Sequence, residues 1–163
     1  MQNKNLINEI SKIILEKKWD ISIAESSINS LINSSFFMND EVNESKIFKG
    51  GVIANSRISK ENLCSVKTIT LEKHGSISKE VAIEMAYGIK NKLKTKIALG
   101  ITSNIESFEV EGKASGTVYF CIIIDEMIYD FEMLIPDNGK EKNNIILSQK
   151  ILEELYKSLL NIE

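Results

Sequence analysis

The sequence predicts an α/β protein: a three-layer α/β/α sandwich whose mixed, mostly parallel sheet ends in a β-hairpin. Three observations lead there. Helical stripes alternate with short apolar runs through the first hundred residues, the pattern of parallel strands joined by crossover helices. Two further apolar runs, 116–124 and 127–134, are separated only by Asp125-Glu126, which implies an antiparallel hairpin. The chain has 163 residues, 43% hydrophobic and 26% charged, close to globular averages. That length suits a single domain, 1–163, able to bury roughly 70% of its unfolded surface.

Each element has a local reason. Leu6, Ile7, Ile10, Ile13 and Ile14 form one helical stripe over residues 3–18, with lysines opposite. Ile21 and Ile23 alternate into a short strand ending near Ala24-Glu25. Ile28, Leu31, Ile32, Phe36 and Phe37 then recur at helical spacing, and Ser26 or Ser27 is placed to cap that helix. Residues 38–46 are polar and read as a loop or a frayed helix end. A strand follows from Ile47 to Ser56, in which Gly50-Gly51 marks a close backbone approach or a bulge. Ser59 to Leu63 is a short helix. Leu71 to Gly75 is a helical turn with a glycine C-cap. Ser78 caps a helix carrying Val81, Ala82, Met85, Ala86, Ile89 and Leu93 on one face. Lys96 to Thr102 is a central strand and 103–113 a polar loop. After the hairpin, Pro136-Asp137-Asn138-Gly139 turns the chain into a last helix over about 140–160.

Composition narrows the function. Net charge is -3, and Arg57 is the one arginine among the cations. Nucleic-acid binders lean on arginine forks and basic surfaces, so direct DNA or RNA contact is not expected. No apolar run reaches the ~20 residues of a membrane span. The N-terminus lacks the apolar stretch of a signal peptide, and two cysteines, Cys64 and Cys121, make no disulfide framework. These point to a cytoplasmic protein. The usual glycine-rich nucleotide loops are absent. Neither the cysteines nor His74 has metal-ligand spacing. A Ser-His-Asp triad would need His74, whose place before Gly75 is that of a helix C-terminus, where imidazolium meets the dipole favourably.

A serine and a lysine remain. Ser26 follows one strand, where nearby backbone N–H groups could hold an oxyanion. Lys60 follows the next. Parallel neighbouring strands put both at the C-terminal edge of the sheet, where open α/β sheets bind ligands. A desolvated lysine there can take the serine proton. On spacing alone, a serine in this place is more often a plain helix N-cap and such a lysine a solvated helix residue.

Four stretches in order resemble one family, the C-terminal domain of CinA and its stand-alone relatives, the nicotinamide-nucleotide amidases. Ala24-Glu25-Ser26-Ser27 is similar to Ala-Glu-Ser-Cys. Gly50-Gly51-Val52-Ile53, then Ser56 and Lys60, is similar to Gly-Gly-Val-Val-x-Tyr-Ser-Asn-x-x-Lys. His74-Gly75-Ser76-Ile77-Ser78 with Glu80-Val81-Ala82 is similar to His-Gly-Ala-Val-Ser-x-Glu-Val-Ala. Gly116-Thr117-Val118-Tyr119 matches Gly-Thr-Val-Tyr. The similarity runs from about Trp19 to Leu155. It implies an α/β/α fold, commonly a homodimer, and hydrolysis of the carboxamide of nicotinamide mononucleotide to nicotinate mononucleotide and ammonia. Ser26 then takes the nucleophile's place and Lys60 the base's. The N–H groups of residues 26–28 are the expected oxyanion donors. Ser27, Asn55, Thr102 and Lys140 fall at substrate-binding positions. Neither metal nor organic cofactor is implied.

The sequence also departs from that family. Ile28-Asn29-Ser30 stand where it has Thr-Gly-Gly, and Asn55 where it has tyrosine. Thr102-Ser103-Asn104-Ile105-Glu106-Ser107 replace a glycine-rich substrate loop, with Glu109 and Glu111 behind. Lys140 stands in place of an arginine, which is not conservative for a bidentate phosphate contact. The expectation is therefore a CinA-like amidohydrolase whose best-supported substrate is a nicotinamide nucleotide, with another small amide as the option that the changed loops open. The alternative is a catalytically degenerate member kept as a binding or assembly subunit, with Phe36, Phe37 and Phe48 at an oligomer interface.

Overall fold

The computed structural model describes residues 2–26, 28 and 30–162. In chain order the elements are α1 Gln2–Glu16, β1 Ile21–Glu25, α2 Leu31–Phe37, α3 Asp40–Ser45, β2 Phe48–Ile53 and α4 Arg57–Cys64. They continue with α5 Thr68–His74, α6 Lys79–Leu93, β3 Ile97–Ser103, β4 Thr117–Ile124, β5 Met127–Leu134 and α7 Lys140–Leu160. The five strands form one sheet in the order β2-β1-β3-β4-β5. Strands β2, β1 and β3 are parallel, while β3-β4 and β4-β5 are antiparallel. This is the predicted mixed three-layer sandwich, hairpin included. Among the described residues, no helix is long and apolar enough to cross a membrane.

The two faces of the sheet are built differently. One face carries Ile21, Ile23, Ile97, Leu99, Ile101 and Phe120 against isoleucines of α1, Ile32 and Phe36 of α2, and leucines of α7. The other carries small residues, and α6 lies close upon it. Ala98 meets Val81, Met85 and Ile89, while Cys121 and Ile123 meet Ala82 and Ala86. Gly100 is required here: a Cβ on it would collide with the Ala82 carbonyl and the Ala86 nitrogen. Strands buried on both faces read as continuous apolar runs, which is why β3 and β4 are legible in the sequence.

Both predicted features of Gly50-Gly51 are present. The pairing of β1 with β2 shifts register, since Ile21 pairs with Phe48 but Ser22 with Gly50. At Gly51 a side chain would strike Asn33 and the Ile23 carbonyl. Ser78 caps α6 by accepting the Val81 N–H. His74 closes α5 before Gly75 (φ 76°), and its Nδ1 lies 3.6 Å from Glu80.

Three expectations need correction. Residues 38–46 are not a loop: α3 forms because the Asn39 side chain accepts the Val42 N–H and Asp40 and Glu41 occupy the first turn, where negative charge meets the helix dipole favourably. Helix α2 starts only at Leu31, behind Ser30 in the left-handed region (φ 60°), so Ser26 does not cap it. Phe36 is fully buried, 5.8 Å from the Phe48 ring, and is core rather than interface; Phe37 is exposed.

Substituting Gly100→Ala is expected to lower stability by about 1–3 kcal/mol, the cost of overpacking against a rigid neighbour. Urea unfolding monitored by circular dichroism measures it.

Candidate active site

The parallel strands β1, β2 and β3 end together, and the site sits on their ends. Strand pairing continues one residue past β1: the Ser26 N–H donates to the Ile101 carbonyl at 3.0 Å, and the Ala54 N–H donates to the Glu25 carbonyl at 2.9 Å. Ser26 is thus fixed at the sheet edge. Beyond β2 the chain turns into α4 through a reciprocal cap. The Ser56 side chain accepts the Ser59 N–H while the Ser59 hydroxyl accepts the Ser56 N–H. One turn later, α4 presents Lys60 back toward the ends of β1 and β2.

Lys60 Nζ donates to Ser26 Oγ at 2.9 Å and to the Ala54 carbonyl at 2.8 Å. Ser26 is 3% exposed and Lys60 2%. Burial pushes the lysine down from 10.5 to about 8, against the opposing pull of Cys64 and the Glu111 carboxylate. At pH 7 a lysine at that value is neutral about one time in ten, against roughly one in 3,000 for an ordinary lysine. The amine is therefore available as a base, within hydrogen-bond reach of the hydroxyl it would deprotonate. Sequence alone paired these residues through topology; the coordinates put them in contact.

A cleft of about 190 Å³ opens beside the pair, lined by Ser26, Asn55, Lys60, Ser76, Ile77, Thr102, Val110 and Glu111. Asn55 and Thr102 thus both line the cleft. Thr102 Oγ1 donates to the Ser76 carbonyl at 2.8 Å, tying β3 to the segment before α6. Ser27 lies outside the described residues. Lys140 is not at the cleft: its Nζ pairs with Glu106 at 2.6 Å, both half-exposed. The expected oxyanion donors also change, because the Ser26 N–H is engaged by Ile101. Among the described residues, no three His, Cys, Asp or Glu side chains gather as a metal site.

Sequence reasoning missed two residues here. Glu25, directly before the serine, is fully buried. Its carboxylate accepts the N–H groups of Ile32 (3.3 Å) and Asn33 (3.2 Å), and so substitutes for the side-chain cap that α2 lacks. Burial raises it from 4.5 to about 7, with the Asn33 and Ile32 amides opposing. Ser76, the second, holds Glu111: its N–H and hydroxyl both donate to that carboxylate. The only sequence signal for Glu25 was an acid ending a buried strand.

Comparison with known proteins follows the same lines. The family model described as the CinA C-terminal domain matches residues 3–159. The chain is 33% identical over 153 residues to the "Protein MG115 homolog" of Mycoplasma pneumoniae, covering 94% of this chain and 96% of that protein. It is 32% identical over 155 residues to a "CinA-like protein" of Pseudothermotoga lettingae, covering 94% of this chain but 37% of that longer protein. The crystal structure of the competence damage-inducible protein A from Klebsiella pneumoniae superposes with a TM-score of 0.93 at 20% identity, covering 99% of each chain. That last likeness is one of fold.

Two pH dependences are expected. Labelling of Ser26 by an activated phosphonate should rise about tenfold per pH unit up to about pH 8 and then level off; Lys60→Met should abolish it. Glu25 acts on stability. Its native value lies above its ordinary one, so between about pH 4.5 and 7 the folded chain keeps a proton the unfolded chain releases. Stability should fall across that window by on the order of a few kcal/mol. Glu25→Gln should flatten the slope in urea titrations at each pH.

Proposed function

Because the chain belongs to the CinA C-terminal domain family, we propose that it is a serine/lysine amidohydrolase acting on a small carboxamide, of the nicotinamide-nucleotide amidase type that its motifs resemble. The observation that carries this reading is the buried 2.9 Å contact between Lys60 Nζ and Ser26 Oγ beside an open cleft.

The steps follow from that contact. Neutral Lys60 takes the Ser26 proton as Oγ bonds to the amide carbonyl carbon. The tetrahedral intermediate collapses, the C–N bond breaks, and Lys60 returns the proton to the leaving nitrogen, which departs as ammonia. Water then attacks the acyl-serine and gives a proton to Lys60. Collapse frees the carboxylic acid, and Oγ recovers the proton. For nicotinamide mononucleotide the products are nicotinate mononucleotide and ammonia. Of the N–H groups at 26–28, Ser26's is already bonded to Ile101, so the Ile28 N–H is the described candidate for the oxyanion.

A second reading, a non-catalytic assembly subunit, draws on one observation. A groove of about 300 Å³ runs between α2 and edge strand β2, lined by Phe37, Phe48 and Ile53 among others, with Phe37 69% exposed. Burial of the lysine favours catalysis instead. Placing an amine out of water is costly, and a scaffold gains nothing from it, whereas perturbed groups gather at reaction sites.

Ammonia release from nicotinamide mononucleotide, measured with pure protein, is expected to be Ser26-dependent, with Ser26→Ala lowering it at least a thousandfold. Release unchanged in Ser26→Ala would reject the mechanism.

A further inference from the structure

One ion pair among the described residues reaches the cleft, and its two members are held differently. Glu111 lines the cleft. It stands in a tight turn closed by the Val110–Lys113 bridge, where Glu111 and Gly112 are both left-handed (φ 50° and 74°), as in a type I′ turn. Its carboxylate accepts both the N–H and the hydroxyl of Ser76. Burial pushes its pKa up, but these bonds and Arg57 outweigh that and hold the group below the ordinary carboxylate range, so it is charged at neutral pH. Arg57 is the first residue of α4, the helix that carries Lys60. Its Nη2 donates to Glu111 Oε1 at 3.1 Å, and among the described residues the guanidinium has no other polar partner.

The Arg57 side chain is 49% exposed and that of Glu111 32%. An ion pair this wet contributes little to folding. If it opens, the acid keeps its place through Ser76, while the guanidinium is left with all its donors. A planar arginine fork suits two oxygens of a phosphate. Other cations are engaged elsewhere. Lys60 acts as an uncharged base, Lys140 pairs with Glu106, and Lys113 of the same turn lies 5.3 Å from the centroid of the Tyr119 ring. Charge therefore changes sign outward from the reacting pair: first a fixed carboxylate, then a guanidinium held by one bond. Nicotinamide mononucleotide carries the opposite order, with its carboxamide on a cationic ring and a phosphate at the far end.

We propose that Arg57 contacts the phosphate of the nucleotide and that Glu111, which presents Arg57, faces the cationic ring. Arg57 stands where the resembled motif has asparagine, so this contact is a feature of the present chain. The inference rests on the Ser26–Lys60 amidohydrolase reading above and names what holds the other end of its substrate.

Nicotinamide riboside lacks only the phosphate of the mononucleotide, so the two amides isolate the contact. Ammonia release should give a kcat/KM at least tenfold higher for the mononucleotide. Arg57→Ala should raise the mononucleotide's KM about tenfold with kcat changed less than about twofold, and cut the ratio between the two amides by about the same tenfold. Arg57→Lys, which restores the charge without the fork, should recover part of that ratio, and raised salt should narrow it in the unaltered protein. Glu111→Gln, which keeps an oxygen for the Ser76 donors, should lower kcat/KM severalfold for both amides, since both carry the cationic ring. A ratio that Arg57→Ala leaves unchanged, with release still lost in Ser26→Ala, would overturn the inference and leave the amidohydrolase reading standing. Phosphonate labelling of Ser26 without release from either amide would do the same. Riboside turnover unchanged in Glu111→Gln would overturn the ring contact. No release and no labelling would overturn both the inference and the reading beneath it.

Discussion

The site depends on one constraint: a lysine amine held out of water between a serine hydroxyl and a backbone carbonyl. Everything near it serves that placement. The reciprocal cap of Ser56 and Ser59 starts α4 at the residue that brings Lys60 back over the strand ends. Ala54, whose carbonyl receives the amine, is itself held by the Glu25 carbonyl. Cys64, one turn on in α4, is buried as well, and burial pushes its thiol up to about 11. Burial itself is what moves the lysine toward neutrality.

Glu25 and Lys60 flank the same serine and are shifted in opposite senses by the same cause. Burial raises the acid and lowers the base, and in both it favours the uncharged form. Their jobs differ. The carboxyl faces the start of α2 and accepts the Ile32 and Asn33 N–H groups. The amine faces the hydroxyl. The side of the sheet packed by α6 contributes in a different way: its small residues let the helix approach closely, which brings the segment before it, with Ser76 and Ile77, onto the rim.

What could be read in advance was local. Helix α6 announced itself through Ser78 and a one-sided apolar stripe, and the hairpin through two apolar runs two residues apart. Parallel topology sufficed to place Ser26 and Lys60 at one edge. What could not be read depended on partners distant in space. Ser26 looked like a cap because a serine before a helical stripe usually is one, yet α2 is capped from outside by Glu25. Lys140 reads as a ligand contact in the sequence, but Glu106 lies against it in space. Helix α3 was hidden because its residues are polar; the Asn39 cap with two acids behind it was the only trace. The placement of Glu111 at the cleft depends on the turn at 110–113 and the donors of Ser76, neither visible as a pattern.

The serine and the carbonyl that receives the amine are spaced by the sheet itself. Ser26 extends β1, Ala54 extends β2, and neighbouring strands lie about 4.8 Å apart whatever the sequence. Core packing thus sets the distance between Ser26 and the carbonyl that anchors the amine, while the turn bearing Glu111 is an appended loop that no strand spacing governs. A change in that loop would therefore reshape the cleft without shifting the Ser26–Lys60 contact.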